Sequence, residues 1–197
     1  MLPARDKGLT RLTPQSIILW AGPKHSGKTT SAERLVQAAR DRGFLVAGCL
    51  APSVYVDGVL LGFDLVHLRN GARAPLARRH IEPAQDQSFH FLSDGQNLGE
   101  EALGPRATKD ADLIIIDEYG PWELRSQLWR RATDRLMTST DAVVLLVVRD
   151  ELVGEVLRVY AGPGTRKLPA LAPGSADEVL LLLERRRLSS SQPPKAD

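Results

Sequence analysis

Cysteine is nearly absent from this chain of 197 residues, in which Cys49 is the only one. A single cysteine rules out an intramolecular disulfide and leaves no cysteine pair for a structural zinc site. A reducing, cytoplasmic setting fits that usage. Cys49 lies in an apolar stretch, so a buried, inert thiol is expected. Long apolar runs are also missing. The longest strongly apolar run, Ala142–Val148, falls well short of the roughly 20 residues a membrane helix needs. Residues 1–15 hold no apolar core of signal-peptide length. Neither membrane insertion nor secretion is expected.

Excess charge of one sign is lacking too. Twenty-six Lys and Arg oppose 24 Asp and Glu, a net charge of +2. So small a balance gives no general case for nucleic-acid or membrane binding. The aromatics do not interleave with basic residues as a base-stacking surface would require. The histidines, His25, His67, His80 and His90, show no metal-ligand spacing. No G-x-S-x-G nucleophile elbow occurs. Two basic clusters, Arg69–Arg79 and Arg185–Arg187, read as solvated faces.

What is present suits one folded domain. Hydrophobic residues make up 43% and charged residues 25%, enough for a single sizeable core. Residues 1–15 read as an N-terminal extension, 16–188 as the domain, and 189–197 as a disordered tail rich in serine and proline. Strand-like and helix-like segments alternate between the tails. Ile17–Ala21, Leu45–Ala51, Leu113–Ile116 and Ala142–Val148 read as buried strands, with Phe89–Leu92 a further short one. Lys28–Arg42, Trp122–Met137, Glu151–Tyr160 and Val179–Arg186 read as helices, and Leu98–Ala107 as a weak one broken by Gly104-Pro105. Trp122 and Trp129 are expected in the core. Asp57-Gly58 between two apolar runs signals a hairpin, and Arg69–Arg79 reads as a loop. Alternation of this kind points to a three-layer α/β domain, with a mostly parallel central sheet and an antiparallel hairpin at one edge.

Gly22-Pro23-Lys24-His25-Ser26-Gly27-Lys28-Thr29 fits G-x-x-x-x-G-K-[ST] at every fixed position. It follows an apolar strand and opens a helix, the context a phosphate-binding loop requires. Free N–H groups at a helix start, together with its dipole, suit a highly charged triphosphate. Gly22 and Gly27 let the backbone turn. Lys28 can reach the β- and γ-phosphates, and the Thr29 hydroxyl can ligate magnesium. The nucleotide-binding set is therefore Gly22, Pro23, Lys24, His25, Ser26, Gly27, Lys28, Thr29 and Thr30.

Leu113–Ile116 ends in Asp117-Glu118. In P-loop proteins an Asp at this strand end holds magnesium. The neighbouring Glu118 can orient or deprotonate an attacking water. Glu123 is a weaker candidate for that work.

The chain resembles the P-loop nucleoside-triphosphatase family that includes the cancer-related nucleoside-triphosphatase and its archaeal and thermophilic bacterial relatives. Four blocks carry the resemblance: Gly22–Thr30, Gly62–Arg78, Ile116–Ser126 and Val143–Val148. It implies magnesium-dependent hydrolysis of ATP, GTP and other triphosphates to diphosphate and phosphate, with loose base preference. It assigns catalytic positions to Lys28 and Glu118 and metal positions to Thr29 and Asp117. The family's arginines fall on Arg73 and Arg78, where a cation stabilises developing charge. The chain departs from the family at His25, where glycine is frequent, at Pro121, and at Arg149-Asp150 after the later strand. Two other readings stay open. One is a small-molecule or nucleotide kinase with Arg69–Arg79 as lid. The other is a switch regulated by a protein partner.

Overall fold

The computed structural model describes residues 16–79, 89–125 and 128–190. The expected extension at 1–15 and most of the expected tail lie outside them, as does His80. Ser189 and Ser190 continue the last helix.

The elements run β1 (Ser16–Gly22), α1 (Lys28–Asp41), β2 (Val46–Leu50), β3 (Ser53–Val56), β4 (Val59–His67), β5 (Arg73–Arg79) and β6 (Phe89–Phe91). They continue with α2 (Ser93–Ala102), α3 (Pro105–Thr108), β7 (Leu113–Ile116), α4 (Pro121–Leu124) and α5 (Arg130–Ser139). The last are β8 (Val143–Arg149), α6 (Val153–Tyr160), β9 (Thr165–Pro169) and α7 (Ser175–Ser190). One sheet joins all the described strands in the order β6-β5-β4-β2-β7-β8-β1-β9, with β3 beside β4. The segment β2-β7-β8-β1-β9 is parallel. β3, β4, β5 and β6 are antiparallel to their neighbours, β4 to β2 included.

The side-chain period of two divides the central strands between two cores. Ile18, Trp20, Ile115, Leu145 and Val147 pack under α1 and α7. Leu19, Ile114, Ile116, Leu146 and Val148 pack under α5 and α6 on the other face. Strands buried on both faces need near-continuous apolar sequence, and β7 and β8 have it. Gly48 sits at φ 99°, where β2 runs so close to β7 that any side chain would strike the Ile115 backbone.

Several expectations needed correction. Arg73–Arg79 is strand β5, not loop or lid. Its charge concealed the buried pair Leu76 and Ala77, and a register shift in the β4–β5 ladder falls at Pro75. The single helix expected over Trp122–Met137 is two, α4 and α5, with Leu128 in the left-handed region at φ 47° between them. α2 begins at Ser93, five residues before the expected start, and α3 begins after Gly104. Strand β9 carries no apolar run. Its Arg166 and Lys167 are exposed, as an edge strand allows, and only Leu168 is buried. Trp129 is buried as expected, but Trp122 is 44% exposed. Cys49 is buried, and burial holds its thiol well above the ordinary range.

Candidate active site

The strand-to-helix turn at the end of β1 builds the first part of the site. Gly27 (φ 89°) and His25 (φ 57°) are both left-handed. Glycine reaches that region freely, and histidine is among the few other residues that tolerate it. The preference for glycine at the His25 position thus has a backbone cause. No side chain caps the start of α1 and no acidic residue lies in its first turn. Its leading N–H groups are available to an anion. Lys28 is 7% exposed. Its Nζ donates to the Pro23 carbonyl at 2.6 Å, and Ser26 Oγ donates to the same oxygen at 2.8 Å. Burial pushes the Lys28 ammonium down in pKa, and the negative charge of Glu118 pulls it back.

Asp117 stands at the end of β7 and is fully buried. Oδ2 accepts from the Ala51 amide at 3.0 Å, and Oδ1 from the Glu118 amide at 2.9 Å. The Thr29 hydroxyl stands beside the same carboxylate and favours its charged form. Burial, reinforced by the charge of Glu118, raises Asp117 to a pKa of about 6. A buried carboxylate beside a hydroxyl is a pair of hard oxygen donors, and a cation there would relieve the burial. The residues therefore fit magnesium, which takes one or two protein oxygens and completes its shell with phosphate and water. Among the described residues no cluster of three His, Cys, Asp or Glu forms a separate metal cage.

Glu118 follows in a left-handed conformation (φ 54°). Arg149 Nη2 lies 3.7 Å from its Oε2. Arg149 ends β8 directly across from Gly22 in the β1–β8 register. Glu123, 1% exposed, accepts from the Gly120 amide at 2.9 Å through Oε2. Its Oε1 is buried without a hydrogen-bond partner among the described residues. Burial raises this carboxyl to a pKa of about 7. Behind the acidic pair, Tyr119 and Tyr160 meet hydroxyl to hydroxyl at 2.9 Å, and Tyr160 donates to Asp134 at 2.6 Å.

The loop, Glu118, Glu123 and Arg149 open onto a cavity of about 700 Å³, whereas the fully buried Asp117 stands behind its lining. Lys24, His25, Ser26, Gly27, Lys28, Thr29 and Thr30 line it, together with Glu118, Glu123 and Arg149. Gly22 and Pro23 lie outside the lining. A side chain on Gly22 would press on Lys28 and Ser26. Arg73 and Arg78 are not brought to the cavity. Both are ion-paired to Asp64, at 2.7 and 2.5 Å, on the β4–β5 hairpin. The arginines on the cavity wall are Arg79 and Arg149. In the sequence Arg149 stands out only as a departure from the family and Arg79 only as part of a basic cluster. The available signal was the position of Arg149, directly after the apolar run Ala142–Val148.

The chain matches the family model described as NTPase over residues 17–162. It is 36% identical over 140 residues to nucleoside-triphosphatase THEP1 of Methanothermobacter thermautotrophicus, covering 68% of this chain and 78% of that protein. It is 32% identical over 133 residues to nucleoside-triphosphatase THEP1 of Ignicoccus hospitalis, covering 66% and 75%. The crystal structure of THEP1 from the hyperthermophile Aquifex aeolicus superposes with a TM-score of 0.65 at 23% identity, over 86% of this chain and 99% of that one. The solution structure of a human cancer-related nucleoside triphosphatase superposes with a TM-score of 0.63 at 23% identity, over 91% and 100%. At that identity the two structures bear on the fold.

Proposed function

The chain belongs to the NTPase family and is a nucleoside-triphosphate hydrolase, and we propose that Lys28, Thr29, Asp117 and Glu118 carry the reaction with magnesium. The observation behind this reading is their convergence where β1 and β7 end. The Thr29 hydroxyl beside the Asp117 carboxylate brings the loop to the acidic strand, and the negative charge of Glu118 reaches Lys28.

The triphosphate lies along the free N–H groups that open α1. Lys28 leaves the Pro23 carbonyl and turns to the β- and γ-phosphates. Thr29 and Asp117 hold magnesium, which when bound supplies positive charge against the phosphate oxygens. Glu118 is the part-exposed carboxylate on the cavity wall. It takes a proton from water as that oxygen attacks the γ-phosphorus, and the diphosphate leaves. Arg149 holds Glu118 and faces the same cavity, so it takes the charge-stabilising role first considered for Arg73 and Arg78. Those two act as clamps on Asp64. ATP and GTP are both substrates in this reading, because the catalytic groups touch phosphate rather than base. The domain spans residues 16–188 and works in the cytoplasm.

The test is phosphate release from ATP and GTP with magnesium and no acceptor. Glu118→Gln is expected to keep nucleotide affinity and lose about 10²- to 10⁴-fold in turnover, the range for a general base. Turnover within a few-fold of wild type would remove Glu118 from the mechanism.

A further inference from the structure

The cavity at the P-loop is larger than a γ-phosphate and a water require. Its far wall comes from the antiparallel strands and α4 and is aromatic. Phe63 of β4 and Phe89 of β6 pack with centroids 5.2 Å apart, and Phe91 meets Trp122 edge-on at 5.3 Å. Tyr55, 57% exposed, stands on the same wall. The Arg79 guanidinium lies 4.7 Å over the Phe89 ring. Trp122 keeps 44% of its surface exposed beside Phe91. An exposed tryptophan on a concave wall of aromatic rings is a stacking surface for a planar ligand.

A second, smaller cavity of about 390 Å³ adjoins the same loop. Trp20, Arg34 and the segment after β9, Ala170–Ala172, line it. The two cavities share Ser26, Gly27 and Thr30. Glu118 lines only the aromatic one. A triphosphate lying across the shared residues has its nucleoside on the smaller side and its γ-phosphate on the aromatic side. The aromatic chamber is then left over, and it adjoins the base that activates the nucleophile. It also contains an unused polar group. Glu123 lines it, and Oε1 of that buried side chain has no partner among the described residues. Burying an oxygen in that condition is costly unless a donor arrives.

We infer that the aromatic chamber is an acceptor subsite, taking a small aromatic molecule that carries a hydroxyl and a ring-side N–H donor, which the enzyme phosphorylates. The inference rests on the roles of Lys28 and Glu118 proposed above. The ring stacks on Trp122 and the Phe63–Phe89 pair, and its N–H donates to Glu123 Oε1 once that carboxyl turns toward the chamber. The hydroxyl oxygen occupies the position of the attacking water. It forms a bond to the γ-phosphorus as the bond from that phosphorus to the bridging oxygen breaks. Glu118 takes the hydroxyl proton, and the products are a phosphate monoester and the nucleoside diphosphate. With no acceptor bound, water enters the same position and hydrolysis results.

Adenosine, cytidine and 4-aminobenzyl alcohol are suitable probes. Each is offered to the protein saturated with magnesium and ADP, and binding is followed by ligand-observed NMR. At least one is expected to bind without displacing ADP, and its phosphate monoester should appear by mass spectrometry when ATP replaces ADP. Trp122→Ala and Phe63→Ala are expected to weaken that probe about tenfold or more, with ADP binding as the check that each variant is folded. The proposal is overturned if none of the probes binds the ADP-loaded protein or if ADP displaces them. It is equally overturned if free phosphate remains the only product with the probe bound. Loss of acceptor-free phosphate release in the wild type is a separate result, which would sink the hydrolytic reading whatever the probes do.

Discussion

Lys28 Nζ is bonded to the Pro23 carbonyl at 2.6 Å, so the lysine closes on the loop that carries it. Phosphate has to replace that carbonyl, and the exchange is favourable because a charge-assisted bond is stronger than a neutral one. Lys28→Ala removes the cation and frees the carbonyl. We expect turnover to fall about 10²- to 10³-fold, as for loss of one preorganised donor to developing charge. Steady-state phosphate release with magnesium-ATP measures it. A variant within threefold of wild type would leave Lys28 with a loop-holding role only.

Arg149 gives a second prediction. It is held 3.7 Å from Glu118 and across from Gly22, at the mouth of the loop. Arg149→Ala is expected to lower turnover by roughly 10²-fold, and Arg149→Lys to recover part of it. Arg78→Ala is the contrast. Its partners are Asp64 and the Phe63 and Ala77 carbonyls, so its effect should be on thermal stability rather than turnover. The reverse pattern would return the catalytic arginine to the position the family resemblance suggested.

The difference between Arg78 and Arg149 shows what was legible in the sequence. The P-loop and the acidic pair are contiguous motifs beside apolar strands, so their chemistry and their place in the fold are written in one stretch. Strands β1, β7 and β8 are equally plain, because burial on both faces demands an unbroken apolar run. Arg149 acquires its role only through register with a strand more than a hundred positions earlier. The aromatic wall is assembled from Tyr55 on β3, Phe63 on β4, Phe89 and Phe91 on β6 and Trp122 on α4, each unremarkable in its own segment. Trp122 could not be told from a core tryptophan by helical spacing. β9 carries one buried side chain and two exposed charges, which leaves no period to read.

Tyr160 supports a third prediction. Its hydroxyl is held between Tyr119 and Asp134, and Tyr119 directly follows the left-handed Glu118. The chain of bonds fixes the turn on which Glu118 stands to α5 and α6. Tyr160→Phe deletes two hydrogen bonds and leaves a buried hydroxyl short of a partner. We expect a loss of about 1 to 3 kcal/mol in unfolding free energy. As a positioning residue it should lower kcat more than it raises KM. Denaturant melts and steady-state kinetics on one preparation separate the two effects. A stability loss with kcat untouched would make the network structural only.

Glu123 should make the nucleotide-free protein less stable as pH rises, and the sign follows from its raised pKa. Burial lifts it from 4.5 in the ordinary state to about 7 in the fold, against the lowering effect of the Gly120 amide. Below about 4.5 the carboxyl is protonated both folded and unfolded, and its contribution to stability is intact. As pH climbs toward 7 the unfolded chain releases the proton first, so unfolding becomes easier. The loss is complete above the folded pKa and amounts to about 3 kcal/mol at most, at roughly 1.4 kcal/mol per unit. Glu123→Gln cannot ionise. The variant should therefore be more stable relative to wild type near pH 8 than near pH 5, whatever constant offset the amide introduces. Denaturant unfolding of both proteins across that window reads the difference in slope directly. Parallel curves would mean that Glu123 stays ionised in the fold and that its Oε1 finds a partner in solution.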